Sequence, residues 1–359
     1  MQTRGLADGA ISIAPMPSLP KVRMLGALVA ATALLALPAS AEATLVYVKN
    51  HMNPAVYAAS DNGGGAFKVG PGTSPKVSPD GAAIAYSYER SNGKRELKLA
   101  ASAGGGPRTV LTGLQDPFHL TFSPDSKLVA ALRGPEIGKR ALVLVDVTSG
   151  TLLRTVATGY FGSFSFSPDG TELAYSRSPS EKFPPRSDVF KVSIAGGNPV
   201  RLTSDHRSLD PLWGPTGQVV FVKMVGAKQR RYGPKNELFV MNPSGKGVRR
   251  LTDTKVGPLL LGLFPTEWSA DGKRLLAEFQ GQDTSYAVVV NPVTGAQWPL
   301  HKTGEQGFVG TALSADGSTV LGFTGGFEPG PNHDVATVPY AGGKPTTLVK
   351  NAFEPDWSR

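Results

Sequence analysis

The sequence predicts an all-β protein of repeated four-stranded units, closed as a seven-bladed β-propeller. A four-residue motif, of which Ser167-Pro168-Asp169-Gly170 is the clearest copy, recurs at intervals of 45, 44, 47, 55 and 45 residues. Each copy connects two short apolar segments, and a glycine-rich turn follows further along each repeat. A period near 45 residues with short strands is typical of propeller blades. The copies begin at Ser78, Ser123, Ser167, Gly214, Ser269 and Ser314.

The repeated motif has the composition of a tight turn between two strands. Proline presets φ, aspartate can hydrogen-bond its own backbone, and glycine takes the position with positive φ. We therefore expect a structural role for the turn aspartates, which are Asp80, Asp125, Asp169, Asp271 and Asp316.

Three further strands are predicted after each turn. The second strands are Ile84–Tyr88, Leu128–Leu132, Leu173–Arg177, Val219–Lys223, Leu275–Phe279 and Val320–Thr324. The third strands are Glu96–Ala100, Ala141–Val147, Asp188–Ile194, Glu237–Asn242, Tyr286–Asn291 and Asp334–Pro339. The fourth strands are Thr109–Thr112, Leu152–Val156, Val200–Thr203, Val248–Thr252, Gln297–Leu300 and Thr346–Val349.

The segments outside these six units indicate the blade count. Phe353–Ser358 resembles a first strand, whereas Thr44–Lys49, Ala55–Ser60 and Ala66–Val69 resemble a second, third and fourth strand. Joined, they predict a seventh blade made from both chain ends, which would remove two open sheet edges. The propeller domain is then 44–359. Six blades with one irregular unit is the alternative.

Residues 1–41 resemble a secretory signal peptide. Lys21 and Arg23 precede the apolar run Leu25–Leu37, and the small-residue segment 38–41 ends at Ala41. The run is shorter than the roughly 20 residues that a membrane-spanning helix needs. We expect an extracytoplasmic protein, secreted or periplasmic, with no membrane span in the mature chain. A membrane anchor is the alternative.

Cysteine usage and charge narrow the classes of function. The chain has no cysteine, which excludes disulfides and thiol chemistry. Its net charge is +9, and its basic residues are spread over many loops. This distribution is typical of a solvated surface, so we expect no nucleic-acid partner.

The repeat resembles that of the TolB-type β-propeller family. The matching residues are an aromatic residue and Ser before the turn, an apolar strand ending in Ser, and a Leu-Thr pair closing the fourth strand. The clearest matches are Phe166–Ser176 with Arg201-Leu202-Thr203, Pro211–Gly217 with Arg250-Leu251-Thr252, Glu267–Phe279 and Pro355–Ser358. The resemblance implies a propeller, with six blades in that family. Similar repeats also precede the hydrolase domain of prolyl-oligopeptidase-like enzymes.

Loop lengths predict where a binding site lies. The second-to-third and fourth-to-first connections vary in length, and in an antiparallel blade they emerge on one face. Function concentrates on variable loops held by a rigid scaffold, so we expect binding at this variable-loop face. Alternation along the first strands points six polar side chains toward the channel and its mouth. They are Lys76, His119, Asp210, Glu267, Glu354 and Asp356.

Two alternatives stay open for these residues. The carboxylates with His119 could bind a divalent cation, since hard cations prefer oxygen ligands. Ordinary channel polarity with trapped water accounts for them equally well, and we expect no cofactor. The basic run Lys228, Arg230, Arg231 and Tyr232 could bind an anionic group, or it could be a solvated loop.

The sequence has none of the linear catalytic motifs G-x-S-x-G or H-E-x-x-H, and its five histidines are far apart along the chain, with no paired spacing. We therefore expect a monomeric binding scaffold for a protein or a cell-envelope polymer rather than an enzyme. The alternative is a propeller lyase or hydrolase acting on an acidic polysaccharide, with acid–base residues at the channel mouth.

Overall fold

The structure is a computed structural model, which describes residues 44–115, 119–135, 137–182, 186–226, 234–255, 260–281, 284–300, 302–303, 306–325 and 332–358. Over these ranges the regular secondary structure consists of β-strands, with no α-helix. The predicted signal peptide (1–41) and the basic run 228–232 lie outside the described residues.

Most strands belong to antiparallel groups of four. The described chain begins with β1 (Thr44–Lys49), β2 (Ala55–Ser60) and β3 (Phe67–Pro71). The next group is β4 (Thr73–Val77), β5 (Ala83–Glu89), β6 (Arg95–Ala101) and β7 (Arg108–Thr112). A seven-stranded sheet follows, with β8 (Thr121–Phe122), β9 (Leu128–Arg133), β10 (Arg140–Asp146), β11 (Leu152–Phe166), β12 (Glu172–Ser178), β13 (Asp188–Ser193) and β14 (Val200–Arg201).

The second half of the chain continues this pattern. An eight-stranded sheet contains β15 (Ser208–Trp213), β16 (Val219–Val225), β17 (Lys235–Met241), β18 (Arg249–Arg250), β19 (Leu260–Trp268), β20 (Leu275–Gly281), β21 (Ser285–Val290) and β22 (Gln297–Pro299). A short hairpin pairs β23 (Lys302–Thr303) with β24 (Gln306–Gly307). The last strands are β25 (Val309–Leu313), β26 (Thr319–Phe323), β27 (Val335–Pro339), β28 (Thr346–Val349) and β29 (Ala352–Trp357).

The turn between first and second strands has the same hydrogen bonds in repeated copies. In the first copy Ser78 Oγ donates to Asp80 Oδ1 at 2.5 Å, and Ala82 N donates to the same oxygen at 3.0 Å. Ser123, Ser167, Ser269 and Ser314 donate in the same way to the aspartate two residues later. These bonds confirm that the turn aspartates are structural.

Strand β11 differs from the prediction of two separate strands. It pairs with β10 through residues 152–159 and with β12 through residues 160–166. One strand therefore serves as the fourth strand of one group and the first strand of the next. The connecting residues include Thr158, Tyr160 and Phe161 and contain no proline, so the chain stays extended.

A second departure joins two groups of four in the eight-stranded sheet. Strand β19 pairs in parallel with β17 at one position, where Gly262 lies opposite Asn236. Gly262 has φ of 111°, and a Cβ there would lie 2.3 Å from the Asn236 carbonyl oxygen. Only glycine permits this close approach.

Strands from both ends of the described chain pair in one sheet. Its order is β29-β1-β2-β3, and Leu45 lies opposite Trp357 in the antiparallel pair of β1 and β29. Ser358 Oγ also accepts a hydrogen bond from Thr44 N at 2.8 Å.

The first strands of successive groups contact one another in sequence order. Contacts run from β4 through β8, β11, β15, β19 and β25 to β29, and β29 contacts β4. The apolar residue before each turn, such as Trp213, Trp268 or Leu313, is buried between neighbouring groups.

Arginines at the outer strands connect neighbouring groups. Arg108 on β7 donates to the carbonyl oxygens of Val147, Thr148 and Ser149 at 2.5, 2.7 and 3.1 Å. Arg154 and Arg249 donate in the same way to the third-to-fourth turn of the group that follows each. Part of the positive charge of the chain therefore has a structural role.

Within the described ranges, no helix is long and apolar enough to cross a membrane.

Candidate functional site

A pocket of about 410 Å³ opens among the connections after β9, β12 and the middle of β11. Two second-to-third connections form part of its wall, one through Ile137 and the other through Ser180, Glu181 and Lys182. Strand residues complete it, including Leu209 and Asp210 near the start of β15. Its lining residues are Ile137, Arg140, Tyr160, Phe161, Gly162, Ser176, Ser178, Ser180, Glu181, Lys182, Ser187, Leu209 and Asp210.

Asp210 is the predicted channel-mouth residue that lines this pocket. Its carboxylate Oδ1 accepts a hydrogen bond from Ser163 N at 3.3 Å, and its own N–H donates to Ser176 Oγ at 3.4 Å. Asp210 adopts φ of 47°, at a point where the pairing of β15 with β16 shifts register. The bulge turns the side chain out of the alternation of the strand and toward the pocket.

An ion pair forms another part of the pocket wall. Arg140 Nη2 lies 3.5 Å from Glu181 Oε1, and the same oxygen accepts a hydrogen bond from Gly138 N at 2.7 Å. Lys182 is exposed at the rim. The pocket thus has charges of both signs beside the aromatic side chains of Tyr160 and Phe161.

Glu354 occupies the position equivalent to Asp210, and its carboxylate also bonds to the backbone of a neighbouring first strand. Its Oε2 accepts a hydrogen bond from Ser74 N at 2.7 Å, and both residues have positive φ, 48° and 52°. Burial raises the pKa of the Glu354 carboxyl, while the Ser74 N–H and the charge of Lys76 oppose the rise.

Asp356 also bonds to the next first strand. Its Oδ2 accepts a hydrogen bond from Val77 N at 2.9 Å, and its Oδ1 lies 3.4 Å from Lys76 Nζ. Burial raises the pKa of the Asp356 carboxyl, and the charge of Lys76 opposes this. Lys76 and Asp356 are therefore brought together, as an ion pair between β4 and β29.

Glu267 repeats the contact that Asp356 makes. Its carboxylate accepts the N–H of Leu313, which is the residue equivalent to Val77 on the next first strand. Ser165 Oγ accepts Trp213 N at 2.9 Å at the corresponding place. Three first strands thus use one side-chain position to bind the backbone of a neighbour, a role that sequence alternation did not indicate.

The remaining predicted site residues lie elsewhere or outside the described residues. The ring of His119 lies 6.3 Å from that of Phe164, measured between centroids. Lys228, Arg230, Arg231 and Tyr232 fall in the part of the chain that the structure does not describe. In the described part, no three His, Asp or Glu side chains are grouped to hold a metal ion.

The sequence analysis missed most of the pocket. Arg140, Tyr160 and Glu181 lie outside the repeated turn motif. Glu181 is on a connection whose length differs between groups, whereas Arg140 begins β10 and Tyr160 lies in the middle of β11. The length of the connection at 178–187 was the available signal.

No family model matches the chain. Over 188 residues it is 27% identical to an uncharacterized protein of Agrobacterium fabrum, a match covering 51% of this chain and 59% of that protein. Over 115 residues it is 31% identical to the uncharacterized peptidase YuxL of Bacillus subtilis, which covers 31% of this chain and 16% of the peptidase. The chain therefore spans less than two thirds of the length of these curated relatives.

Solved structures resemble the chain over most of its length. The β-propeller domain of the Trilobed protease from Pyrococcus furiosus superposes with a TM-score of 0.63 at 13% identity, covering 86% of this chain and 93% of that domain. TolB from Acinetobacter baumannii gives 0.53 at 17% identity, covering 88% and 83%. Oligogalacturonate lyase from Vibrio parahaemolyticus gives 0.56 at 16% identity, covering 86% and 84%. Identities this low show the fold alone, and that fold is a TolB-like β-propeller.

Proposed function

We propose that this chain is an exported propeller scaffold that binds a protein or a cell-envelope polymer through its variable-loop face. The observation that carries the proposal is the pocket around Asp210, which is lined by two of the variable second-to-third connections and by strand residues next to them. A rigid ring of strands that presents adaptable loops is the arrangement expected of a binding surface.

The proposal includes a closed ring of seven blades, with the seventh made of β29, β1, β2 and β3. Its support is the pairing of β29 with β1 and the succession of contacts among the first strands. A closed ring would hold the loops of one face at fixed separations.

The use of several channel carboxylates supports a binding role. Glu267, Glu354 and Asp356 each accept a backbone N–H from a neighbouring first strand. They therefore act in holding strands together, whereas Asp210, which accepts a longer bond of 3.3 Å from Ser163 N, also lines the pocket. We keep the other channel-mouth residues and the basic run at Arg230 and Arg231 as proposed secondary contacts.

Export is part of the proposal and rests on the order of charged, apolar and small residues in 21–41. The mature N-terminus should lie at Glu42 or within a few residues of it. N-terminal sequencing of secreted or periplasmic material tests this, and an intact apolar segment in cytoplasmic protein would contradict it.

The binding proposal is tested by affinity capture from cell-envelope extract, quantified by mass spectrometry. The mature chain is compared with an Arg230→Glu/Arg231→Glu variant, with Asp210→Asn, and with Asp61→Asn as a control in an exposed turn. A genuine partner should be captured by the wild type and the control and depleted with one of the other two. Identical capture by all four proteins would contradict binding at the variable-loop face.

A lyase or hydrolase acting on an acidic polysaccharide is the second candidate. The observation in its favour is that a carboxylate, Asp210, shares a pocket with the cationic side chains of Arg140 and Lys182. In an enzyme, Asp210→Asn should reduce turnover of oligogalacturonate about 10²–10⁴-fold, the usual contribution of a positioned acid–base group. Absence of any product with the wild type and divalent cations would rule this candidate out for that substrate.

A further inference from the structure

The carboxylate of Asp210 lacks a cationic partner within the described part of the chain. Its Oδ1 accepts only the long hydrogen bond from Ser163 N, at 3.3 Å, and no described side chain donates to Oδ2. The charges across the pocket differ in this respect, because Arg140 and Glu181 compensate each other. Asp210 is therefore the charge in the pocket that a ligand could neutralise.

Asp210 and Lys182, the cation at the rim that forms no ion pair with a described residue, differ in burial. Lys182 is exposed, so water solvates its ammonium group whether or not a ligand is present. Asp210 is half-buried and lies beside the fully buried Ser176. An opposite charge interacts more strongly where water is partly excluded, so a cation gains more at Asp210 than an anion gains at Lys182.

The carboxylate of Asp210 is held less tightly than that of Glu354 at the equivalent position. Asp210, Glu354 and Ser74 all have positive φ, at register shifts that recur in the first strands. Glu354 Oε2 accepts the N–H of Ser74 at 2.7 Å, whereas Asp210 Oδ1 accepts that of Ser163 at 3.3 Å. Asp210 therefore keeps more of its hydrogen-bonding capacity for a ligand in the pocket that it lines.

Apolar surface lies close to this carboxylate. Phe161 is buried, Leu209 and Tyr160 are half-buried, and all three line the pocket with Asp210. A side chain with a methylene stem and a terminal cation matches this combination, since the stem can cover apolar surface while the charged end meets a carboxylate. A volume of about 410 Å³ accommodates one such side chain.

We propose that the pocket takes a lysine or arginine side chain of a partner protein, with its charged end at Asp210 and its stem along Phe161 and Leu209. This inference rests on the proposed function, because it assumes that the variable-loop face receives a protein. It adds which chemical group is recognised and where.

Three capped tripeptides test the inference on the mature chain by ligand-observed NMR titration. They are acetyl-Gly-Lys-Gly-amide, the same peptide with norleucine, which keeps the stem without the ammonium, and the same peptide with glutamate. A single positive charge limits general repulsion from a protein whose net charge is +9. The lysine peptide should bind about tenfold more tightly than the norleucine peptide, and the glutamate peptide more weakly still.

The variant Asp210→Asn should reduce the affinity for the lysine peptide about tenfold, to that of the norleucine peptide. Asparagine tolerates positive φ as aspartate does, so the backbone should be retained, and an unchanged melting temperature verifies this. Asp61→Asn, with the same change in charge outside the pocket, should bind as the wild type does.

Several outcomes would overturn the inference. They are equal binding of the lysine and norleucine peptides, unchanged binding by Asp210→Asn, tighter binding of the glutamate peptide, or no binding of any peptide.

Affinity capture distinguishes failure of the lysine-pocket inference from failure of the proposed function. If capture is lost only with the Arg230→Glu/Arg231→Glu variant, the result supports the proposed scaffold function and contradicts the inference of a lysine pocket. If no variant affects capture, the proposed scaffold function is contradicted even if the peptides bind.

Discussion

Carboxylates in this fold have pKa values shifted in opposite directions according to their hydrogen bonds. Asp169 accepts bonds from Ser167 Oγ at 2.6 Å, Thr171 N at 3.1 Å and Thr171 Oγ1 at 2.9 Å. These bonds, that of Ser167 above all, lower the pKa of the Asp169 carboxyl. Burial instead raises the pKa of Glu278, against the hydrogen bonds from Ser285 and Gln280. The charged turn carboxylates therefore stabilise the folded state, whereas burial destabilises the charged form of Glu278.

The first prediction concerns acid stability. A carboxyl with a lowered folded-state pKa contributes stability above its unfolded-state pKa, near 3.8, and this is lost as the pH falls through the folded-state value. The wild type should therefore lose stability between about pH 5 and pH 2 more steeply than Asp169→Asn. Urea unfolding midpoints at intervals of pH measure both slopes.

Asp316→Asn should show the same shallower loss of stability as Asp169→Asn, since hydrogen bonds from Ser314 and Ser318 lower the pKa of Asp316 to about 2. Parallel slopes would contradict this.

The second prediction concerns His51, next to the sheet of β29, β1, β2 and β3. Its ring stacks on Phe353 with centroids 4.0 Å apart and lies 5.3 Å from the ring of His333. Burial and then the neighbouring His333 lower the pKa of His51, so the folded state favours the neutral imidazole. Its contribution is present above its unfolded-state pKa of 6.5 and is lost as the pH falls through the folded-state value.

Melting temperatures should therefore fall for the wild type as the pH is lowered from about 7.5 to about 5. In His51→Phe, which keeps an aromatic ring and removes the titration, they should fall less. An identical decrease in both proteins would assign the pH dependence to other groups.

Strand types were predictable wherever the turn motif sets their start. The predicted second strand Leu173–Arg177 and the observed β12, Glu172–Ser178, differ by one residue at each end. Fourth strands were less predictable, since β14 and β18 have two residues each and β11 continues into the next group. Their limits depend on tertiary contacts such as the arginine bonds between groups, which no local pattern reports.

The third prediction tests these arginine bonds. Arg108→Ala removes the donors to three carbonyl oxygens of the following group and should destabilise the fold by about 1 kcal/mol, the usual net value of such bonds. Arg108→Lys should recover only part of the lost free energy of unfolding, because lysine lacks the planar fork of donors. Chemical unfolding measures both, with Lys344→Ala as a control for loss of an exposed cation. Equal stability of Arg108→Ala and Lys344→Ala would show that the bonds contribute nothing.

At the scale of the molecule, the repeat period predicted an all-β, propeller-like fold correctly, because each unit buries its apolar strands against similar neighbours. The candidate site was predictable only at Asp210, which alternation on a first strand placed near the mouth. Arg140 at the start of β10, Tyr160 in β11 and Glu181 in the connection after β12 meet there. Their convergence depends on how neighbouring groups pack, which a single repeat does not encode.

The fourth prediction concerns the strand at the chain end. Deleting residues 353–359 removes most of β29, including Trp357, whose Nε1 donates to Leu313 O at 2.9 Å. Loss of a Trp side chain from a packed site typically costs about 3–5 kcal/mol, a large part of the roughly 5–15 kcal/mol of an ordinary domain. The truncated protein should melt far lower and aggregate in size-exclusion chromatography.

Trp357→Phe is the milder variant for this test. It keeps an aromatic ring and loses the hydrogen bond, so it should remain folded with an intermediate melting temperature. An unchanged melting temperature of the truncated protein would show that β29 is dispensable.

The pairing of β29 with β1 also sets an order of events during folding. Strands β1, β2 and β3 precede β29 in the chain, yet β29 is the partner of the second edge of β1 and is synthesised much later. Until then that edge exposes unpaired N–H and C=O groups, which are a template for association with other chains. The pair joins residues about 300 positions apart, and such distant contacts form slowly. The edge of β1 is therefore open to association with other chains until β29 has been synthesised and has docked on it.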